Sequence, residues 1–181
     1  MKKIKIWQAL AVAVAIISLS VACDKKDDEI SIGFDIAVPD NWVHYIYGTE
    51  DLVYAGERQS TGNNDTIREY MLVYREPLSG YNLNTYYAAI KSDVITSDFY
   101  VSTLIEKDTT INGYSSKKFI CNEIGEYIVG NDTSEVNLTT TRYIFFEKDY
   151  GYLFGMVTVD TTYYRVKPIF DDIISSLQFK D

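Results

Sequence analysis

The sequence predicts an α+β domain in which an antiparallel sheet is covered by helices. Three observations predict it. From Ile32 onward most apolar residues alternate with polar ones at period two, the mark of half-buried strands. Only two stretches, around residues 83–94 and 166–177, change to helical spacing. Between the alternating runs lie short clusters of Gly, Asn, Asp and Pro, which join neighbouring strands as hairpins.

Ile32, Phe34, Ile36 and Val38 form the first alternating run, and Pro39-Asp40-Asn41 stops it. Trp42 follows; its indole suits either a sugar-stacking platform or an anchor of the first strand to the core. Residues 52–59 and 66–75 read as two strands of a hairpin, separated by the turn-rich segment 60–65. In the second of them Tyr70, Leu72 and Tyr74 share one face while Ile67, Met71 and Val73 share the other, so both faces are expected to be covered. Pro77-Leu78-Ser79-Gly80 closes this region. Leu83, Tyr87, Ile90 and Val94 then stand 4, 3 and 4 residues apart, one stripe of a helix with Asn82 or Asn84 as N-cap.

Residues 102–108 and 114–123 read as strands joined through Ile111-Asn112-Gly113, with glycine where a positive φ costs little. A further hairpin pairs 142–147 with 152–160 around Asp149-Tyr150-Gly151, and a strand starting near Asn137 extends that ladder. Val166, Ile169, Phe170, Ile173 and Leu177 make the closing helical stripe, with Pro168 expected in its first turn.

Two segments of this plan resemble the PsbP-like family. Phe34-Asp35-Ile36-Ala37-Val38-Pro39-Asp40-Asn41-Trp42 is similar to its opening strand running into Pro-x-x-Trp. Phe170-Asp171-Asp172-Ile173-Ile174-Ser175-Ser176-Leu177-Gln178-Phe179 is similar to its closing helix, and the glycine turn at Gly113 fits as well. The resemblance spans about residues 31–179 and implies an α/β/α sandwich. It also implies an accessory, assembly or chaperone-like binding subunit, and it carries no catalytic residues over.

The N-terminus points to an address. Lys2, Lys3 and Lys5 precede an uncharged run over residues 9–22, too short to span a bilayer, for which about 20 apolar residues are needed. The run ends in Ser20-Val21-Ala22-Cys23, which resembles the lipobox of bacterial lipoproteins, although Ser20 stands where that pattern favours leucine. Residues 1–22 are therefore expected to be a signal peptide, residues 23–30 a lipidated Cys23 with a charged linker, and residues 31–181 one domain. Lys26-Asp27-Asp28-Glu29 resembles the surface-export signal of Bacteroidota lipoproteins, which implies anchoring in the outer membrane with the domain on the cell surface.

Composition narrows the chemistry. Residues 1–22 hold three of the 17 basic residues and none of the 26 acidic ones, so the chain from Cys23 carries 14 basic against 26 acidic residues, a net charge of −12. Such a surface repels phosphate backbones, and nucleic acid is not an expected partner. With Cys23 acylated, Cys121 has no intramolecular disulfide partner and reads as a core residue. His44 is the only histidine, no Gly-x-Ser-x-Gly elbow or phosphate-cradling glycine loop occurs, and no two soft ligands have metal spacing. No enzyme activity, cofactor or metal is expected.

The excess is tyrosine, 16 residues. Tyrosine suits both strands and recognition surfaces; if a ligand patch exists, Tyr45, Tyr47, Tyr81, Tyr86 and Tyr87 are its candidates. Asp65-Thr66-Ile67, Asp108-Thr109-Thr110 and Asp160-Thr161-Thr162 resemble Asp-Thr-x acceptors of O-glycosylation and equally suit turns or caps. The expected function is a membrane-tethered, non-enzymatic accessory subunit with an envelope protein as partner. The alternative is a surface module that captures carbohydrate or peptide in a tyrosine-rich groove, its small-molecule ligand left open.

Overall fold

The computed structural model describes residues 32–47, 52–58, 69–129 and 132–180. In chain order the elements are β1 (Phe34–Asp35), β2 (Trp42–Ile46), β3 (Leu52–Arg58), β4 (Tyr70–Pro77), α1 (Leu83–Ile95), β5 (Tyr100–Ile111) and β6 (Tyr114–Val129). There follow β7 (Asp132–Glu147), β8 (Tyr150–Val159), a single 3₁₀ turn, α2 (Tyr163–Ser175) and β9 (Gln178–Phe179). Seven strands form one sheet in the order β2-β3-β4-β8-β7-β6-β5, each neighbour antiparallel, and β1 pairs with β9 in a separate two-stranded sheet.

Helices cover both faces, as expected for an α/β/α sandwich. On one face Met71, Val73, Phe145, Phe154 and Met156 meet Val166, Phe170 and Ile173 of α2, joined by Ile32 and Phe34 from the N-terminal segment. On the other, Leu72, Tyr74, Phe119, Cys121, Ile144 and Leu153 meet Tyr86, Tyr87, Ile90 and Val94 of α1. Adjacent residues of the central strands thus serve opposite cores, which is why β4 and β8 read as continuous apolar runs. Tyr70, Leu72 and Tyr74 do share a face opposite Met71 and Val73.

Local chemistry fixes the element ends. Asn82 is the N-cap of α1: its Oδ1 accepts from the Asn84 and Thr85 amides at 2.9 and 3.1 Å, and Thr85 Oγ1 accepts in return from the Asn82 amide at 2.9 Å. The β5–β6 turn is Asn112-Gly113 with φ of 49° and 86°, two positive values that match the right-handed strand twist. The β7–β8 turn falls at Lys148-Asp149, also at positive φ, one residue earlier than the glycine-centred turn expected from the sequence.

Three further details differ from the sequence reading. The alternation at residues 32–38 does bury alternate side chains, but only Phe34 and Asp35 enter a strand ladder. Residues 42–46 form a strand that alternation did not reveal, because β2 is an edge whose side chains beyond Trp42 and Val43 are exposed. Trp42 itself is a core anchor, edge-on to Phe170 at 6.1 Å. Pro168 lies in the second turn of α2, not the first. The Tyr164 carbonyl thereby loses an intrahelical donor, tolerable because Tyr164 and Pro168 both lie on the exposed side.

Burial raises the hydroxyl pKa of Tyr54, Tyr70, Tyr86, Tyr87, Tyr143, Tyr152 and Tyr163. Their folded values exceed the unfolded one near 10, so their contribution is complete below about pH 10 and is lost as pH rises, at up to about 1.4 kcal/mol per pH unit for each. We expect steep alkaline unfolding with tyrosinate absorbance rising together with loss of circular dichroism. Complete titration of the tyrosines in a chain that stays folded would contradict the packing described.

Candidate functional site

The sequence candidates scatter. Tyr45 and Tyr47 are exposed at the β2 edge, and Tyr81 is exposed ahead of α1. Tyr86 and Tyr87 are core residues: the Tyr86 ring lies over Gly151, where an added Cβ would sit 2.6 Å from it, and its hydroxyl is 3.5 Å from Glu76 Oε1. The helical stripe that located Tyr87 also placed Tyr86 beside it; nothing in the spacing told that glycine would make room for a second ring. Cys23 and Lys26, Asp27, Asp28 and Glu29 lie outside the described residues. His44 is exposed and stacks on Tyr54, with ring centroids 5.9 Å apart.

Three sets of charged and polar groups inside the molecule are closed on one another, whereas the Trp42 indole N–H and the Ser97 hydroxyl are buried without a hydrogen-bond partner among the described residues. Beneath α1, Arg142 donates from Nη2 to Glu123 Oε1 at 2.5 Å and from Nη1 to Cys121 Sγ at 2.9 Å, while Thr140 donates to Glu123 Oε2 at 2.6 Å. Burial pushes the Cys121 thiol up to about 12 against the pull of Arg142, which keeps it protonated and unreactive. Beneath α2, Lys118 donates to the Tyr143 hydroxyl, which donates to Asp171 Oδ1 at 3.1 Å, and Lys167 completes the group as an i,i+4 partner of Asp171. Burial lowers the Lys118 pKa, only partly opposed by Asp171. For Asp171 burial acts upward, but Lys167, Lys118 and Tyr143 outweigh it and hold the carboxyl below its usual range. A third set joins buried Glu69 to Arg58 at 2.5 Å and to Arg165 at 3.7 Å. Among the described residues no three His, Cys, Asp or Glu groups are placed to hold a metal ion.

Two surface features remain. The first is an open groove of about 510 Å³ where the start of α1 meets the β5–β6 hairpin. Its floor carries the cross-strand pairs Asp108–Lys117 and Thr110–Ser115, with Asn82 and Asn84 on the wall. Amides, hydroxyls and one ion pair at 2.6 Å line it, not tyrosines.

The second is β5 itself. Among the described residues this strand pairs only with β6, and its side chains from Thr103 to Asp108 are exposed on both faces. Register shifts between Tyr100 and Ser102 and between Thr103 and Ile105 push Val101 and Leu104 outward, where they are 51% and 49% exposed beside Phe99 and Ile105. Past the end of β5 pairing at Glu123, and of β8 pairing at Leu138, residues 124–129 and 132–137 form a ladder only with each other among the described residues, the Ile124 amide also donating to the Phe99 carbonyl at 2.8 Å. They project as a ribbon of about 20 Å. On it Glu126 stands directly opposite Glu135, a like-charge pair.

No family model matches the chain, and no curated protein does. Solved structures share its fold. LpqN of Mycobacterium tuberculosis, involved in cell envelope biogenesis, superposes with a TM-score of 0.58 at 8% identity over 82% of this chain and 83% of its own. CyanoP, the PsbP of Synechocystis sp. PCC 6803, does so with 0.52 at 12% identity over 90% and 99%. PA94 of Pseudomonas aeruginosa, of unknown function, gives 0.54 at 10% identity over 82% and 98%. The fold is PsbP-like.

Three variants test these pairings. Arg142→Ala leaves Glu123 buried without its cation and is expected to cost about 3–5 kcal/mol in chemical denaturation, whereas Arg142→Met with Glu123→Leu together should be nearly neutral. Equal losses in both variants would refute the pairing. Glu135→Lys replaces repulsion with attraction across the ribbon and should raise stability by about 0.2–1 kcal/mol, seen as a higher melting temperature.

Proposed function

We propose that this chain is a lipid-tethered envelope subunit, on the outer face of the outer membrane, that acts by binding another envelope protein and not by catalysis. The observation that carries the reading is the row of apolar side chains exposed at Phe99, Val101, Leu104 and Ile105. A folded chain does not usually leave such a row in water unless something covers it. The lipobox-like Ser20-Val21-Ala22-Cys23 supplies the tether, and Lys26-Asp27-Asp28-Glu29 the export address. The envelope role of LpqN, which has the same fold, agrees with this setting.

The start of the described chain at Ile32–Gly33 and the apolar row lie at opposite ends of the domain. Lys180 donates its amide to the Gly33 carbonyl at 3.0 Å, and Asn112 donates to the carbonyls of Ser175 and Leu177 at 2.7 and 2.9 Å. The chain therefore enters the domain beside the β5–β6 turn. Tyr100 stands at the far end of β5, about 36 Å away along the strand. A domain hung from Cys23 would present Phe99 and Val101 away from the bilayer, toward a protein partner.

The polar groove favours a second reading, capture of a neutral saccharide or peptide by hydroxyl and amide contacts, for which a glycan and peptide screen is the test.

For the first reading, mass spectrometry of the mature N-terminus should find acylated Cys23, and protease shaving of whole cells should remove the domain. A photo-crosslinking residue placed at Val101 or Leu104 in living cells should trap one and the same envelope protein, and the same probe at Tyr45, on the opposite sheet edge, should not. Absence of a reproducible adduct from Val101 and Leu104 would sink the binding-subunit reading.

A further inference from the structure

We propose that β5 is a strand-addition site: its outer edge receives an extended polypeptide segment of the partner, with Lys or Arg at alternate positions leading into apolar residues. The inference rests on the binding-subunit reading and assigns that reading a place and a chemistry.

The backbone comes first. From 105 to 111 the pairing of β5 with β6 runs without a register shift, so seven consecutive residues present a regular edge. An added strand of that length matches the ordinary strand in folded proteins. Main-chain hydrogen bonds then give affinity, and the side chains alternating along β5 give selectivity. Protein edges are commonly blunted by bulges. Here the two bulges are confined to residues 100–105 and leave the remainder open.

The side chains decide which segment fits. On the α1 side the exposed groups along this edge are Glu106 and Asp108, two residues apart. Lys91 and Lys117 touch them at 2.6 Å from behind, yet the side chains stay 41% and 81% exposed. Cross-strand neighbours prefer opposite charge, so a strand laid outside β5 needs cations at positions i and i+2 on that face. Continuing toward Phe99, it meets Leu104 and Val101, which call for apolar residues. The ribbon beyond adds Glu126 and Glu135, whose mutual repulsion a cation would relieve.

The same geometry disfavours a second copy paired about the middle of this edge. A two-fold antiparallel pairing keeps each residue on its own face of the sheet, so it must be centred on a residue. Centring on Glu106 or Asp108 sets that carboxylate against itself. Centring on Lys107 sets lysine against lysine and Glu106 against Asp108. At any other centre two domains still repel one another, since residues 31–181 hold 12 basic and 22 acidic residues, a net charge of −10.

The test uses the full chain purified in detergent and a labelled decapeptide, lysine at alternate positions in its first half and valine and leucine in its second. Its control has glutamate in place of lysine. Fluorescence anisotropy should show saturable binding of the lysine peptide alone, and Glu106→Gln with Asp108→Asn should weaken it about tenfold. Hydrogen exchange on the unaltered chain should show new amide protection at 105–111, a readout independent of any variant. Equal binding of both peptides, no binding, or protection elsewhere would overturn the proposal. So would a dimer, seen by sedimentation, that the double variant dissolves, since the occupant would then be a second copy. If crosslinking at Val101 traps a partner that the lysine peptide does not displace, strand addition fails while the binding-subunit reading stands. If no adduct forms, that reading is the one that fails.

Discussion

A sheet buried on both faces is the constraint from which the rest of this structure follows. In the centres of β4, β8 and β7 neighbouring residues serve two different cores, so Leu72, Tyr74 and Ile144 pack under α1 while Met71, Val73 and Phe145 pack under α2. These central residues are buried on both faces. A polar group there must find its partner within the protein or not be present, because an unpaired buried charge costs several kcal/mol. Arg142 with Glu123, and Lys118 with Asp171, are the outcomes: groups that enzymes use elsewhere as acids, bases and nucleophiles are here closed on each other. The faces of the sheet centre are thereby taken up by packing, and its rims are left open.

The two rims differ in kind. At β2 the edge is short, begins with buried Trp42, and ends in exposed tyrosines. At β5 the edge runs twelve residues, exceeds the helix that covers its face, and bulges twice where its apolar residues emerge. A β-bulge costs a regular ladder position and is kept where a side chain must be re-aimed. Bulges at Val101 and Leu104 aim apolar side chains into solvent, the reverse of what burial alone would select.

Most of the fold was legible in the sequence because its cause is local. Asn82, one of the two caps the sequence offered, Asn112-Gly113 between alternating runs, and the stripe from Val166 each act within one turn or one hairpin, and the helices and the hairpin formed there, although the last helix ends at Ser175, short of Leu177. What stayed hidden depends on partners distant in sequence. Residues 42–46 form a strand only because 54–58 lie beside them, and 34–35 only because 178–179 return. The tyrosines show the same limit more sharply. Tyr81 and Tyr86 look alike in sequence, yet one is exposed and the other lies over Gly151, sixty-five positions away. Exposure of an aromatic residue is set by the far side of the contact. Cys121 was legible as core, but the guanidinium that meets its sulfur is contributed by the next strand.

The sequence reading looked for function in a residue type, whereas the proposed strand-addition site rests on an arrangement. Glu106, Asp108, Val101 and Leu104 are ordinary residues in a strand, and neither their number nor their order singles them out. They gain meaning from standing on the last strand of a sheet, outside the face that α1 covers. The chain's entry point beside Asn112 adds a direction, since anything anchored there holds Tyr100 farthest from the anchor. On the proposed reading a tether at the entry end would fix the place of the molecule, the double-faced sheet would set the reach, and the far end of β5, open and apolar, would make the contact.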